Sequence, residues 1–177
     1  LIAVADATVE DAGSTWATLY LRDSLGVPGP LAASGLVAFA AAMFIGRVFG
    51  DRLVDRFGEQ AVARAGGFLT AAGMGAALGW PTVPGTVAGF AAAGFGVATL
   101  IPAAMHRADQ LPGLRPGTGL TVLTWLMRIG FVGAPVLVGV IADAAGLRAG
   151  LLTVVASGLA VTLLADALSA RPRPARS

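Results

Sequence analysis

The chain has 177 residues, of which 56% are hydrophobic and 12% charged, with a mean hydropathy of +0.79. An ordinary soluble domain carries about 25% charged residues, so this composition is too poor in charge to coat a water-facing surface and points to lipid as the solvent. Twelve Arg and no Lys stand against ten acids for a net charge of +2; the Arg sit mostly at the ends of apolar runs rather than on one soluble face, which argues against nucleic acid as a partner. Cysteine is absent and His106 is the single histidine, so neither a thiolate nor a His-rich metal site is available, and no cofactor is expected.

Leu1 already lies in an apolar run, with no basic segment or cleavage site ahead of it. The opening is therefore not expected to be a signal peptide, and the chain is expected to be a piece of a longer one. A bilayer core needs about 20 mostly apolar residues per helix. Six stretches qualify, roughly 1–22, 31–50, 61–80, 85–105, 118–142 and 149–168, separated by the turn-rich breaks 23–30, 51–60, 81–84, 106–117 and 143–148. The expectation is an all-α membrane protein of six transmembrane helices.

The first stretch carries Asp6, Glu10 and Asp11. A charge at mid-bilayer costs at least about 2.5–3.5 kcal/mol and usually faces protein or water. At 100° per residue, Asp6, Thr8, Glu10, Asp11, Ser14, Thr15 and Thr18 share one broad arc, while Val9, Ala12, Trp16, Leu19 and Tyr20 share the other. A membrane helix with one polar side lines a cavity or meets a polar partner.

The second and third stretches are joined by Gly46-Arg-Val-Phe-Gly50-Asp51-Arg52-Leu-Val-Asp55-Arg56-Phe-Gly58. Gly58 can take the left-handed geometry that turns a chain sharply, and Asp55 and Arg56 can bind neighbouring helix ends. This loop resembles the signature loop of the major facilitator superfamily, which joins the second and third helices of each six-helix half. Asp55, Arg56 and Gly58 fit the pattern. Asp51 stands where a Gly is usual and Glu59-Gln60 replaces a basic pair, departures that suit a second-half copy. The resemblance implies a latch closing the cytoplasmic side, built from Asp51, Arg52, Asp55, Arg56 and Gly58, with Arg107 as the partner of Asp55 or Asp51.

The fourth stretch is rich in small residues up to Pro102, and glycines there permit bending or close packing. The fifth carries Arg128 about ten residues from either end, with Thr121, Thr124 and Trp125 on the same helical face. An Arg this deep needs an anion, so Arg128 is expected to face the central cavity and pair with Glu10, Asp11 or the solute, with Trp125 stacked beside it. Between the fifth and sixth stretches, Asp143-Ala-Ala-Gly146 repeats the spacing of Asp55 and Gly58, as expected of a 3+3 inverted repeat. The pairs Gly46/Gly50, Gly75/Gly79 and Gly85/Gly89 are expected to let helices approach closely in lipid. The tail 169–177, with Arg171-Pro172-Arg173-Pro174, is expected to be a disordered cytoplasmic end.

With Leu1 on the cytoplasmic side, Arg47, Arg52, Arg56, Arg64, Arg107, Arg115, Arg171, Arg173 and Arg176 are cytoplasmic and only Arg22 and Arg148 face outward. That asymmetry matches the positive-inside rule, so both ends of the chain are expected to face the cytoplasm; a bacterial inner membrane is the expected location. The opening Glu10-Asp11-Ala-Gly-Ser-Thr-Trp16 run also resembles the seventh helix of the sugar-permease-like subgroup. The resemblance implies the C-terminal half of a secondary transporter, partnered by an N-terminal six-helix half, a lipid bilayer and a small solute. Glu10, Asp11, Trp16, Trp125 and Arg128 are the candidate solute or coupling residues, with proton coupling through Glu10 or Asp11. The other reading is a self-contained six-helix protein acting as a homodimeric carrier or scaffold. Enzyme chemistry is not expected, because Gly-x-Ser-x-Gly, zinc-ligand and P-loop patterns are all missing.

Overall fold

The computed structural model describes residues 1–109 and 117–165, except the side chains of His106, Arg107 and Asp109. The expected tail over 169–177 lies outside the described residues, as does Arg115. All regular structure among the described residues is helical. The opening stretch consists of α1 (Ile2–Asp11), a π turn (Ala12–Trp16), the short α2 (Ala17–Leu19) and a second π turn (Tyr20–Ser24). There follow α3 (Gly29–Ala32), α4 (Ser34–Phe57), α5 (Glu59–Gly79), α6 (Val83–Val97), α7 (Leu100–Asp109), α8 (Thr118–Ala145) and α9 (Leu147–Leu164).

Five helical stretches are long and apolar enough to cross a membrane: Gly29–Phe57, Glu59–Gly79, Val83–Met105, Thr118–Ala145 and Leu147–Leu164. The protein is an all-α membrane protein. The opening stretch is not among the five, since it is interrupted by π turns and carries Asp6, Glu10, Asp11, Arg22 and Asp23.

Three boundaries differ from expectation, each for a backbone reason. The expected break over 51–60 shrinks to Gly58, because charge does not end a helix and nothing before Gly58 departs from helical geometry. Asp51, Arg52, Asp55 and Arg56 therefore belong to the last turns of α4. Likewise α8 runs through Asp143 to Ala145 and stops at Gly146. The fourth stretch, expected unbroken over 85–105, is divided at Ala98–Thr99 and resumes as α7 to Asp109. Pro102 has no N–H for the Ala98 carbonyl, so the break falls one turn ahead of it.

The two corners at Gly58 and Gly146 share one backbone geometry. Gly58 has φ 82° and ψ 152°, and Gly146 has φ 88° and ψ 157°. Each donates its N–H to the carbonyl four residues back, Val54 at 2.7 Å and Ala142 at 2.8 Å. This conformation is essentially restricted to glycine.

α6 packs between α4 and α5, α5 also packs on α9, and α1 touches α6, α7, α8 and α9, with its π turn against α4. Hydrophobic burial does not discriminate between partners in lipid, so small residues set these contacts. Gly66 meets Gly96 and Gly73 meets Gly89 across α5 and α6, while Gly67 meets Gly158 across α5 and α9. Of the expected glycine pairs, Gly46/Gly50 packs on Ala98 and Thr99, but Gly75 and Gly79 have nothing within 4 Å of a virtual Cβ. Contact register gives helix direction. α1 runs antiparallel to α4, with Leu21 beside Gly35, Gly13 beside Phe39 and Glu10 beside Arg47. It runs parallel to α8, with Val4 and Ala7 beside Gly130 and Trp16 beside Gly139.

Candidate functional site

The polar side of α1 is built by local chemistry. Ser14 Oγ donates back to the Glu10 carbonyl at 2.8 Å, and Thr8 Oγ1 to the Val4 carbonyl at 3.0 Å. Such back-bonding loosens a helix, and together with Gly13 it accompanies the change from α to π at Ala12. π turns recur at functional sites because they re-aim side chains. Here the wider turn brings Trp16 over Asp11: Trp16 Nε1 donates to Asp11 Oδ2 at 3.3 Å, and Thr15 Oγ1 donates to Oδ1 at 3.1 Å. Trp16 therefore joins the acidic side, correcting its expected place on the opposite arc. Uniform 100° steps miss this rotation.

Glu10 is held by an ion pair that the sequence reading missed. Arg47 Nη2 donates to Glu10 Oε1 at 2.8 Å, with the Glu10 side chain 16% exposed and Arg47 50% exposed. Arg47 lies ten residues before Phe57, the end of α4, about 15 Å along the helix. It is not a loop residue, and removing it from the nine Arg expected on the cytoplasmic side leaves eight against two. Asp6, one turn from Glu10, is fully buried, and neither of its oxygens has a hydrogen-bond partner among the described residues. The signal available in sequence was the four-residue spacing of Asp6 and Glu10, which put them on one face without marking Asp6 as the more enclosed. Ser14 and Thr15 are exposed beside this cluster. At the far end of the opening stretch, Arg22 Nε donates to Asp23 Oδ1 at 2.7 Å, and this bond holds the exposed Asp23 carboxyl below its usual range.

α8 contributes a second, separate group. Arg128 Cζ lies 6.0 Å from the centroid of the Trp125 ring, at the outer limit of a cation–π contact. Both are exposed, and with Leu120, Thr121 and Thr124 they line a shallow pocket of about 340 Å³. The expected stack on Trp125 is present. The expected pairing of Arg128 with Glu10 or Asp11 is not, since Arg47 holds Glu10 while Thr15 and Trp16 hold Asp11.

The expected latch residues divide. Asp51 and Asp55 line a cavity of about 420 Å³ with Arg47, Glu59, Thr99 and Pro102, between the end of α4 and the α6–α7 break. Arg52 and Arg56 are exposed, and Arg56 Cζ sits 5.5 Å over the Phe57 ring. The expected Arg107 partnership lies outside the described side chains.

Residues 2–177 match the profile of the Major Facilitator Superfamily. The chain belongs to the major facilitator superfamily. It is 37% identical over 146 residues to membrane protein MosC of Rhizobium meliloti, covering 82% of this chain and 36% of that protein. It is 33% identical over 148 residues to an uncharacterized transporter, y4wD, of Sinorhizobium fredii, covering 84% of this chain and 39% of the relative. An uncharacterized MFS-type transporter of Yersinia pestis is 29% identical over 154 residues, covering 83% and 40%. The chain thus spans well under half the length of these curated relatives. Membership of this superfamily and the apolar helices make it a multi-pass transmembrane protein of a transporter family.

Proposed function

We propose that this chain is the C-terminal six-helix half of a bacterial major facilitator transporter, moving a small solute by alternating access against an N-terminal half. The observation that carries this reading is the acidic side of α1, held inside an apolar bundle and open at Ser14 and Thr15. A polar strip in that position is expensive in lipid and serves a water-filled path. The register of α1 along both α4 and α8 supports a sixth crossing, because its direction alternates correctly with the five apolar spans. The matching corners at Gly58 and Gly146 support a 3+3 repeat. The share of each relative that the chain spans supports a missing half.

In this reading Glu10, Asp11, Trp16, Trp125 and Arg128 face the path near mid-membrane, and Arg128 is the group that meets an anionic or polar part of the solute. Asp51, Arg52, Asp55, Arg56 and Gly58, with Arg107, form the latch. The remaining Arg asymmetry supports an inner-membrane protein with both chain ends cytoplasmic. The solute is a sugar or related polar metabolite, or a drug in efflux, moved at the expense of an ion gradient. The test is uptake by the full-length protein in proteoliposomes, screening sugars first and cationic drugs second. Saturable uptake that collapses in a folded Arg128→Ala variant is expected. Unchanged uptake in that variant removes Arg128 from the path, and an upstream sequence without six further spans defeats the half-transporter reading.

A further inference from the structure

Asp6 is the acid of α1 to which no role has been assigned, and its surroundings differ from those of its neighbours. Asp11 receives bonds at both oxygens and Glu10 is paired with Arg47. Asp6 is fully buried, with no donor at either oxygen among the described residues. The charged groups acting on it are Glu10, one turn along its own helix, and Arg47 from α4. Of the other helices packed on α1, α6 has no titratable residue, and Asp143 of α8 and Arg148 of α9 lie beyond the level of Trp16, at the opposite end. Arg128 of α8 is exposed on its own pocket with Trp125. The side chains of His106, Arg107 and Asp109 on α7 lie outside the described residues.

A bare carboxylate without donors is the most costly state for such a site, and a carboxyl that carries a proton is the least. A metal cation does not fit either. Hard cations need several oxygen ligands, and among the described residues no group of three or more acids and histidines is placed to hold one. A proton needs a single carboxyl oxygen.

We propose that Asp6, rather than Glu10 or Asp11, carries the coupling proton, with Arg47 as the cation that answers to it; this rests on the ion-coupled transporter reading above. Release of H⁺ to water converts the Asp6 acid to its carboxylate. The new negative charge draws the Arg47 guanidinium along α1 by one helical turn, about 5.4 Å. Glu10, already partly open, is left to water. Arg47 links α4 to α1, so its change of partner alters the contact between two helices that line the path. Proton release and helix movement are then one event.

The test is infrared difference spectroscopy on the full-length protein in liposomes, stepping the pH upward with no solute present. The wild type should lose an acid carbonyl band as Asp6 ionises. Asp6→Asn should lack that band, and Asp11→Asn should keep it. If Asp6→Asn does not fold, Asp6→Glu should shift the band rather than delete it. An absent band in the wild type, or one that persists unshifted in the Asp6 variants, overturns the assignment. With a solute from the uptake screen, Asp6→Asn should keep solute exchange across the membrane and lose accumulation driven by a proton gradient; retained proton-driven accumulation also overturns it. The spectroscopic arm needs no transport, so a band at Asp6 in a protein that moves nothing counts against the transporter reading and not against Asp6 as the proton site.

Discussion

The opening stretch and α8 run side by side in the same direction, and each carries charge and a tryptophan, yet they use them in opposite ways. In the opening stretch the acids are enclosed: Asp6 is buried, Glu10 is ion-paired, and Asp11 is held by Thr15 and Trp16. In α8 they are open: Trp125 is 63% exposed, and Arg128 stacks on it over a shallow pocket. The difference separates charges enclosed among the described helices from a charge left open on their surface. The mere presence of ionisable residues in an apolar helix, which both share, does not make that separation.

Glycine substitutions give the largest contrast. A Cβ on Gly13, in the π turn after α1, would lie 2.5 Å from Phe39 Cγ, whereas one on Gly133 of α8 meets nothing within 4 Å. Gly13→Val should cost about 1–3 kcal/mol by overpacking. Gly133→Ala should be neutral or gain up to about 1 kcal/mol of helix propensity. Thermal unfolding of the full-length protein in detergent would read both, and equal losses at the two sites would erase the contrast.

The arginines come next. Arg47→Ala strips a mostly buried Glu10 of its charged donor and should cost about 1–2 kcal/mol, at the lower part of the range for charged hydrogen bonds because Arg47 is half exposed. Arg128→Ala should change stability by no more than about 0.5 kcal/mol while reducing solute uptake. Denaturant titration beside uptake would separate the two. A destabilising Arg128→Ala would show that α8 is enclosed by groups of this half after all.

The tryptophans should differ least. Trp16→Phe loses a 3.3 Å bond to Asp11, which Thr15 still holds, for about 0.5–1 kcal/mol. Trp125→Phe should leave stability unchanged and weaken solute binding, read as a raised KM for uptake.

Much of the fold was legible in sequence because the bilayer imposes length and polarity on each helix. The five apolar spans and the polar side of α1 follow from that, while the turn at Gly58 was legible from glycine's freedom at positive φ. What was not legible had local or long-range causes. The π turn at Ala12–Trp16 depends on side-chain bonds to backbone carbonyls, and it moved Trp16 to Asp11. The Glu10–Arg47 pair spans 37 residues, and Arg47 sits in a run of charges that resembles a loop. Charged residues past Gly50 suggested the end of a helix, although no backbone feature ends it before Gly58.

Single-cysteine labelling tests most directly whether water bathes the acidic side of α1. This stretch contains no cysteine, so Ser14→Cys, Thr15→Cys and the apolar, exposed positions Val37→Cys and Leu163→Cys can be compared in a full-length cysteine-free background with a polar, charged thiol reagent. Rapid modification at 14 and 15, slowed by a transported solute, with 37 and 163 inert, is the expected result. Inert cysteines at 14 and 15, or all four positions reacting alike, would contradict a water-filled path along α1.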